Sequence, residues 1–129
     1  MKIEHVAIWS RDIEKLKSFY AHYFHAIAGE KYFNPKKNFY SYFLSFDDSC
    51  RLELMQMPGI QDRSADQHEE YFGLTHLAIT ACSKELVDHL TAQLRTDGYI
   101  IASAPRTTGD GYYESVILDP EGNRIEITA

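Results

Sequence analysis

Cysteine is scarce in this sequence. Cys50 and Cys82 are the only two among 129 residues, and neither belongs to a Cys-x-x-Cys pair. That excludes a disulfide scaffold and a cysteine-based zinc site. Both are expected to be reduced thiols, packed as small apolar groups in a cytoplasmic protein. Long apolar runs are absent too, so no transmembrane helix is expected. The opening stretch MKIEHVAIWSRDIEK breaks its apolar residues with charges and lacks the core of a signal peptide. Basic residues are the minority: 13 Lys and Arg stand against 19 Asp and Glu, a net charge of −6. Neither nucleic acid nor an anionic membrane is therefore expected as a partner. Nucleotide-binding glycine patterns, phosphate loops and Ser-His-Asp signatures are also missing.

What the chain does contain is a repeat. His5-Val6-Ala7-Ile8 returns as His76-Leu77-Ala78-Ile79, and Arg51-Leu52-Glu53-Leu54 returns as Arg124-Ile125-Glu126-Ile127. The first pair is offset by 71 positions (5 to 76) and the second by 73 (53 to 126). Generic strand sequence would explain the alternating apolar residues but not the matched His and Glu. Between these anchors each half carries an amphipathic helix. One is expected from Asp12, a good N-cap, to His25, with Ile13, Leu16, Phe19, Tyr20 and Tyr23 as its stripe and Gly29 as a stop signal. The other is expected from Ser83 to Thr96, with Leu86, Val87, Leu90 and Leu94 as its stripe and Gly98 as its end.

Strand-like segments follow each helix: Phe39–Phe46 and Arg51–Met57, then Tyr99–Ala102, Tyr112–Leu118 and Asn123–Thr128. A weaker strand signal lies near Lys31–Phe33. Asp47-Asp48-Ser49 and Asp119-Pro120-Glu121-Gly122-Asn123 read as turns. Pro58–Glu70 reads as a linker. The expected fold is α+β. Residues 1–129 would form one domain of two βαβββ modules, at approximately 1–57 and 72–129.

Alternation along a strand sends neighbouring side chains to opposite faces. Val6, Ile8, Leu52 and Leu54 share the face that a helix would cover, as do Leu77, Ile79, Ile125 and Ile127. His5 and Glu53, and His76 and Glu126, then lie on the opposite face of their sheets. A carboxylate among apolar strand residues needs a partner, and a divalent metal shared with the His supplies one. Ala7 and Ala78 leave room for a ligand there. Arg51 and Arg124, two residues before each Glu, are placed to orient the carboxylates or else to lie exposed at the strand start. His22, His25, His68 and His89 have no matched counterparts and are expected on the surface.

These residues resemble the vicinal oxygen chelate superfamily, the group that includes glyoxalase I. The resemblance covers essentially the whole chain. It rests on the His5 strand, on Asp12 with its helix ending in Phe19-Tyr20, and on Leu-Thr-His76-Leu-Ala-Ile. The closing Leu118-Asp119-Pro120-Glu121-Gly122-Asn123-Arg124-Ile125-Glu126 is its most recognisable part. It implies paired modules whose curved sheets form a metal-lined cleft, with ligands at His5, Glu53, His76 and Glu126. It also implies similarity to bacterial lactoylglutathione lyases, with Glu126 the better candidate base and Glu53 the second. The sequence departs from that pattern at one place. Trp9 stands where glyoxalase I enzymes usually carry an arginine for the glutathione carboxylate, which leaves the thiol open.

Two imidazoles and two carboxylates suit Ni, Zn, Co or Mn. Such an ion acts as a Lewis acid and stabilises the enediolate of a small carbonyl substrate, a hemithioacetal being the type. A neighbouring carboxylate moves the proton. Epimerisation of a thioester would use the same set, and a bleomycin-resistance-type protein would bind a small molecule without turnover. The polar segment from Arg106 to Tyr113 reads as a loop that could close over a ligand, with Tyr112 or Tyr113 against it. An open sheet face in so small a module favours a homodimer.

Overall fold

The computed structural model describes residues 1–47, 50–62 and 72–129. The remaining positions take with them Asp48-Ser49 of the first expected turn, most of the expected linker, and His68. The chain divides into two compact units, Met1–Ala65 and Asp66–Ala129.

In the first unit the order is β1 (His5–Trp9), α1 (Ile13–Phe24), β2 (Ile27–Ala28), β3 (Tyr32–Asn34), β4 (Phe39–Ser45) and β5 (Arg51–Gln56). The sheet runs β1-β5-β4-β2, with β3 also paired to β4. Asp12 caps α1 by accepting from the backbone N–H groups of Glu14 and Lys15. The helix ends at His25, which takes the left-handed conformation (φ 55°) that more often falls to glycine. Ile13, Leu16, Phe19 and Tyr20 are buried, as are Tyr42, Leu44, Leu52 and Leu54 of the sheet. Each fully buried side chain of this size contributes about 1.5–3 kcal/mol before entropy is counted. Tyr23 is only half-buried.

The second unit repeats the plan with β6 (His76–Thr80), α2 (Lys84–Thr96), β7 (Ile101–Thr107), β8 (Tyr113–Leu118) and β9 (Arg124–Thr128), in sheet order β6-β9-β8-β7. Ser83 caps α2 through the N–H of Leu86. Its buried face is Val87, Thr91 and Leu94, whereas Leu86 is exposed. Thr91 belongs inside because its hydroxyl donates to the Val87 carbonyl at 2.6 Å and meets the buried Ser115 hydroxyl at 2.7 Å. Strand β7 runs past its expected end at Ala102, through Pro105. It is an edge strand, where proline is tolerated, and two register shifts interrupt its pairing with β8, one of them across the stretch that holds Pro105. Arg106 and Thr107 are thus strand residues. The expected loop shrinks to a hairpin turn closed by the Thr108 N–H to the Tyr112 carbonyl at 2.8 Å.

Between β8 and β9 the buried Asp119 organises the turn. Its carboxylate accepts from the N–H groups of Glu121 and Asn123 and from the Asn123 side-chain amide, each at 2.9 Å. Gly122 supplies the positive φ (84°) that the reversal requires.

Helix α1 is tied to its sheet by a polar cluster. Glu14 accepts from Lys17 at 2.5 Å, from Lys31 at 2.9 Å and from the Tyr42 hydroxyl at 2.9 Å. These contacts, led by Lys17, hold the Glu14 carboxyl down to about 2 from 4.5. A depressed folded-state value makes this stabilisation complete above about pH 4.5 and lost as pH falls towards about 2. The side chains are partly solvated, so Glu14→Gln should cost only about 0.5 kcal/mol at neutral pH. Its stability should also fall less steeply than the wild type's across that acid window. Urea unfolding as a function of pH checks this, and parallel acid limbs would refute it.

Candidate metal centre

The same parallel register organises both units. His5 faces Arg51 and Ala7 faces Glu53 across β1 and β5, while His76 faces Arg124 and Ala78 faces Glu126 across β6 and β9. An alanine opposite each glutamate leaves room for the histidine, one pleat away, to lean across. His5 Nε2 lies 3.8 Å from Glu53 Oε2, and His76 Nε2 lies 3.3 Å from Glu126 Oε2. The glutamate side chains are mostly covered, at 16% and 22% exposure, and the imidazoles are more open. Two donors bound at roughly 2.1 Å to one ion sit about 3.0–3.5 Å apart. The second pair matches that spacing and the first needs only a small rotation.

The structure therefore brings His5 together with Glu53 and His76 together with Glu126. Among the described residues no group of three or more His, Cys, Asp or Glu side chains is gathered to hold a metal. Each unit presents one imidazole and one carboxylate. Two neutral imidazoles and two carboxylates would balance a divalent charge, so the donor chemistry fits such an ion.

The residue preceding each histidine holds the other ring nitrogen. His5 Nδ1 lies 2.5 Å from Glu4, and His76 Nδ1 lies 3.0 Å from the Thr75 hydroxyl. Glu4 also accepts from Arg51 through Nε at 2.7 Å and through Nη2. Its hydrogen bonds from His5 and Arg51 lower the Glu4 pKa, so it is an ionised acceptor. In the neutral ring this contact places the His5 proton on Nδ1, which leaves the Nε2 lone pair facing Glu53. Arg51 was expected either to orient Glu53 or to lie exposed at the strand start. Its ion-pair partner is Glu4 instead, and its guanidinium lies 4.1 Å from the Phe43 ring centre. Sequence reasoning missed Glu4 and Thr75 because alternation assigns them to the opposite face. Both lie just before their strands, where the chain is free to turn them back.

Several expected residues stand apart from the pairs. Tyr113 donates to Asp88 of α2 at 2.7 Å, and Arg106 lies 3.7 Å from Glu114. His22, His25 and His89 are exposed. Neither Cys50 nor Cys82 is in a disulfide; Cys82 is exposed and Cys50 half-buried, so neither is the buried thiol expected. No helix among the described residues is long and apolar enough to cross a membrane.

The model of the Glyoxalase/Bleomycin resistance protein/Dioxygenase superfamily matches residues 2–127. Among curated proteins, the uncharacterized protein YqjT of Bacillus subtilis is 36% identical over 67 residues, which are 50% of this chain and 52% of that protein. A glyoxalase family protein from Enterococcus faecalis has a similar structure, with a TM-score of 0.79 and 25% identity over 99% of this chain and 97% of its own. Glyoxalase I from Zea mays matches with a TM-score of 0.79 at 20% identity, over 98% of this chain but 44% of the maize chain. The present chain thus spans about half of YqjT and less than half of the maize enzyme.

The Glu4 contact has a direct readout. In Glu4→Gln an amide that donates as well as accepts replaces an obligate acceptor. The neutral His5 ring should then lose its bias towards the Nδ1–H tautomer. Ring ¹⁵N shifts at mildly alkaline pH report this, and an unchanged tautomer would show that Glu4 does not set it.

Proposed function

The chain belongs to the glyoxalase/bleomycin resistance protein/dioxygenase superfamily, and from that premise we propose that it is a metal-dependent lyase or isomerase of the glyoxalase type. In this reading His5, Glu53, His76 and Glu126 hold one divalent ion, Ni, Zn, Co or Mn. The pairs come together within one chain or across a homodimer. The observation that carries the reading is the repeated register, which sets an imidazole and a carboxylate at donor spacing in each unit. A lone His-Glu contact is commonplace, but two in identical strand positions serve a common purpose.

When bound, the ion supplies Lewis acidity that makes the C–H beside a substrate carbonyl acidic. The remaining work falls to the protein. Glu126 takes the proton from that carbon and returns it to the adjacent one, with Glu53 as the second candidate. Partial burial keeps water from competing for the carboxylates. Glu4 and Thr75 fix the imidazoles so that Nε2 points inward. The substrate is a small molecule with two neighbouring oxygens, a hemithioacetal being the type. The two cysteines, neither of them in a disulfide, agree with a cytoplasmic setting.

Metal titration followed by melting should show one tight divalent ion per four-residue set and a higher Tm on loading. His76→Ala should weaken binding far more than His89→Ala. The loaded protein should turn over the hemithioacetal of methylglyoxal with glutathione or another thiol, or epimerise a short acyl thioester. Glu126→Gln should lower the rate by about 10²–10⁴ while substrate still binds. Undiminished activity in that variant would remove Glu126 from its role. Failure of every ion to bind would sink the metal reading. Tight small-molecule binding without turnover would make the protein a sequestering one.

A further inference from the structure

The open face of the first sheet continues past Glu53, and its residues change character. Register and alternation place Trp9, Met55, Ser41, Phe39 and Tyr32 together there. None of them is charged. Trp9 and Phe39 meet edge to face with ring centres 6.1 Å apart, and Phe39 meets Tyr32 at 6.2 Å. Trp9 is 41% exposed and Tyr32 55%, so these rings are not spent on the core. The nearest cation in sequence, Arg11, donates to Asp62 through Nε at 3.0 Å and Nη2 at 2.6 Å. Both bonds go to the one oxygen, Oδ1, and engage the guanidinium with a carboxylate of its own unit. Among the described residues this part of the face therefore offers a negatively charged group no side-chain cation, and offers a flat apolar group three rings and a thioether.

Spacing links this patch to the metal half-site. Trp9 lies two residues beyond Ala7, which is level with Glu53, or roughly 6.6 Å along the strand. One ring joined directly to an oxygen pair covers such a distance. We propose that Trp9, Phe39 and Tyr32 form a subsite for an uncharged aromatic group carried by the substrate next to its chelating oxygens. The substrate class is an aryl-substituted vicinal oxygen compound, not one anchored by a carboxylate. This inference rests on the metal-site reading above for the position of the oxygens, but not for the aromatic preference itself.

Two probes with the same chelating oxygens separate the contributions: benzohydroxamate, which carries a ring, and acetohydroxamate, which does not. Calorimetry on the metal-loaded protein should find benzohydroxamate bound about tenfold more tightly. Trp9 is the only tryptophan in the chain, so its emission should change with the aryl probe and not with the methyl one. Trp9→Ala should erase most of the preference and Trp9→Phe should keep much of it, with folding of both verified by circular dichroism. Equal affinities for the two probes, or a preference that survives Trp9→Ala, overturns the proposal. So does Trp9 emission that neither benzohydroxamate nor acrylamide alters, the sign that a second copy covers the patch. If no metal binds, the metal reading falls by itself, and Trp9 emission in the metal-free protein still decides the aromatic preference between the probes.

Discussion

Parallel pairing of β1 with β5 and of β6 with β9 sets the position of every other group at the candidate centre. A shift of one residue in either pair would send a glutamate into the helix-covered core and bring a leucine or isoleucine to the open face. The register is held from both sides. On the core side, Leu52, Leu54, Ile125 and Ile127 are almost completely buried. On the open side, each glutamate lies between an alanine, Ala7 or Ala78, on one neighbouring strand and a larger residue, Phe43 or Val116, on the other. The apolar core therefore does more than stabilise the units, because it fixes the phase that presents a carboxylate beside an imidazole.

The two pairs are alike in backbone placement and different in surroundings. His5 is held by an ionised carboxylate that is itself gripped by Arg51, whereas His76 is held by a neutral hydroxyl. Charge near the first imidazole is thus richer than near the second. The shorter contact is the one between His76 and Glu126.

Much of this was legible in the sequence because the deciding signals were periodic. The His and Glu strands and the caps Asp12 and Ser83 all rest on alternation, helical spacing or side-chain oxygens at helix starts. What escaped was set by tertiary context. Strand β2 spans two residues and exists only because β4 offers it an edge. Thr91 counts as polar in any stripe, and only the Ser115 hydroxyl makes it a core residue. Leu86 counts as apolar, yet one residue of helical phase leaves it exposed. Strand β7 continues beyond Ala102 and through Pro105 to Thr107, a course that its edge position tolerates.

That same proline bears on behaviour at high concentration. A sheet ends in a row of unused peptide groups, which invites growth by capture of another chain, the first step towards aggregates and fibrils. The second unit's sheet ends in β6 on one side and in β7 on the other, and the proline belongs to the row on β7. That row lacks one donor at Pro105, and its two irregularities prevent a long straight ladder from forming. Replacing Pro105 with a β-branched residue would give the strand back that donor, and the protein's resistance to self-association would fall.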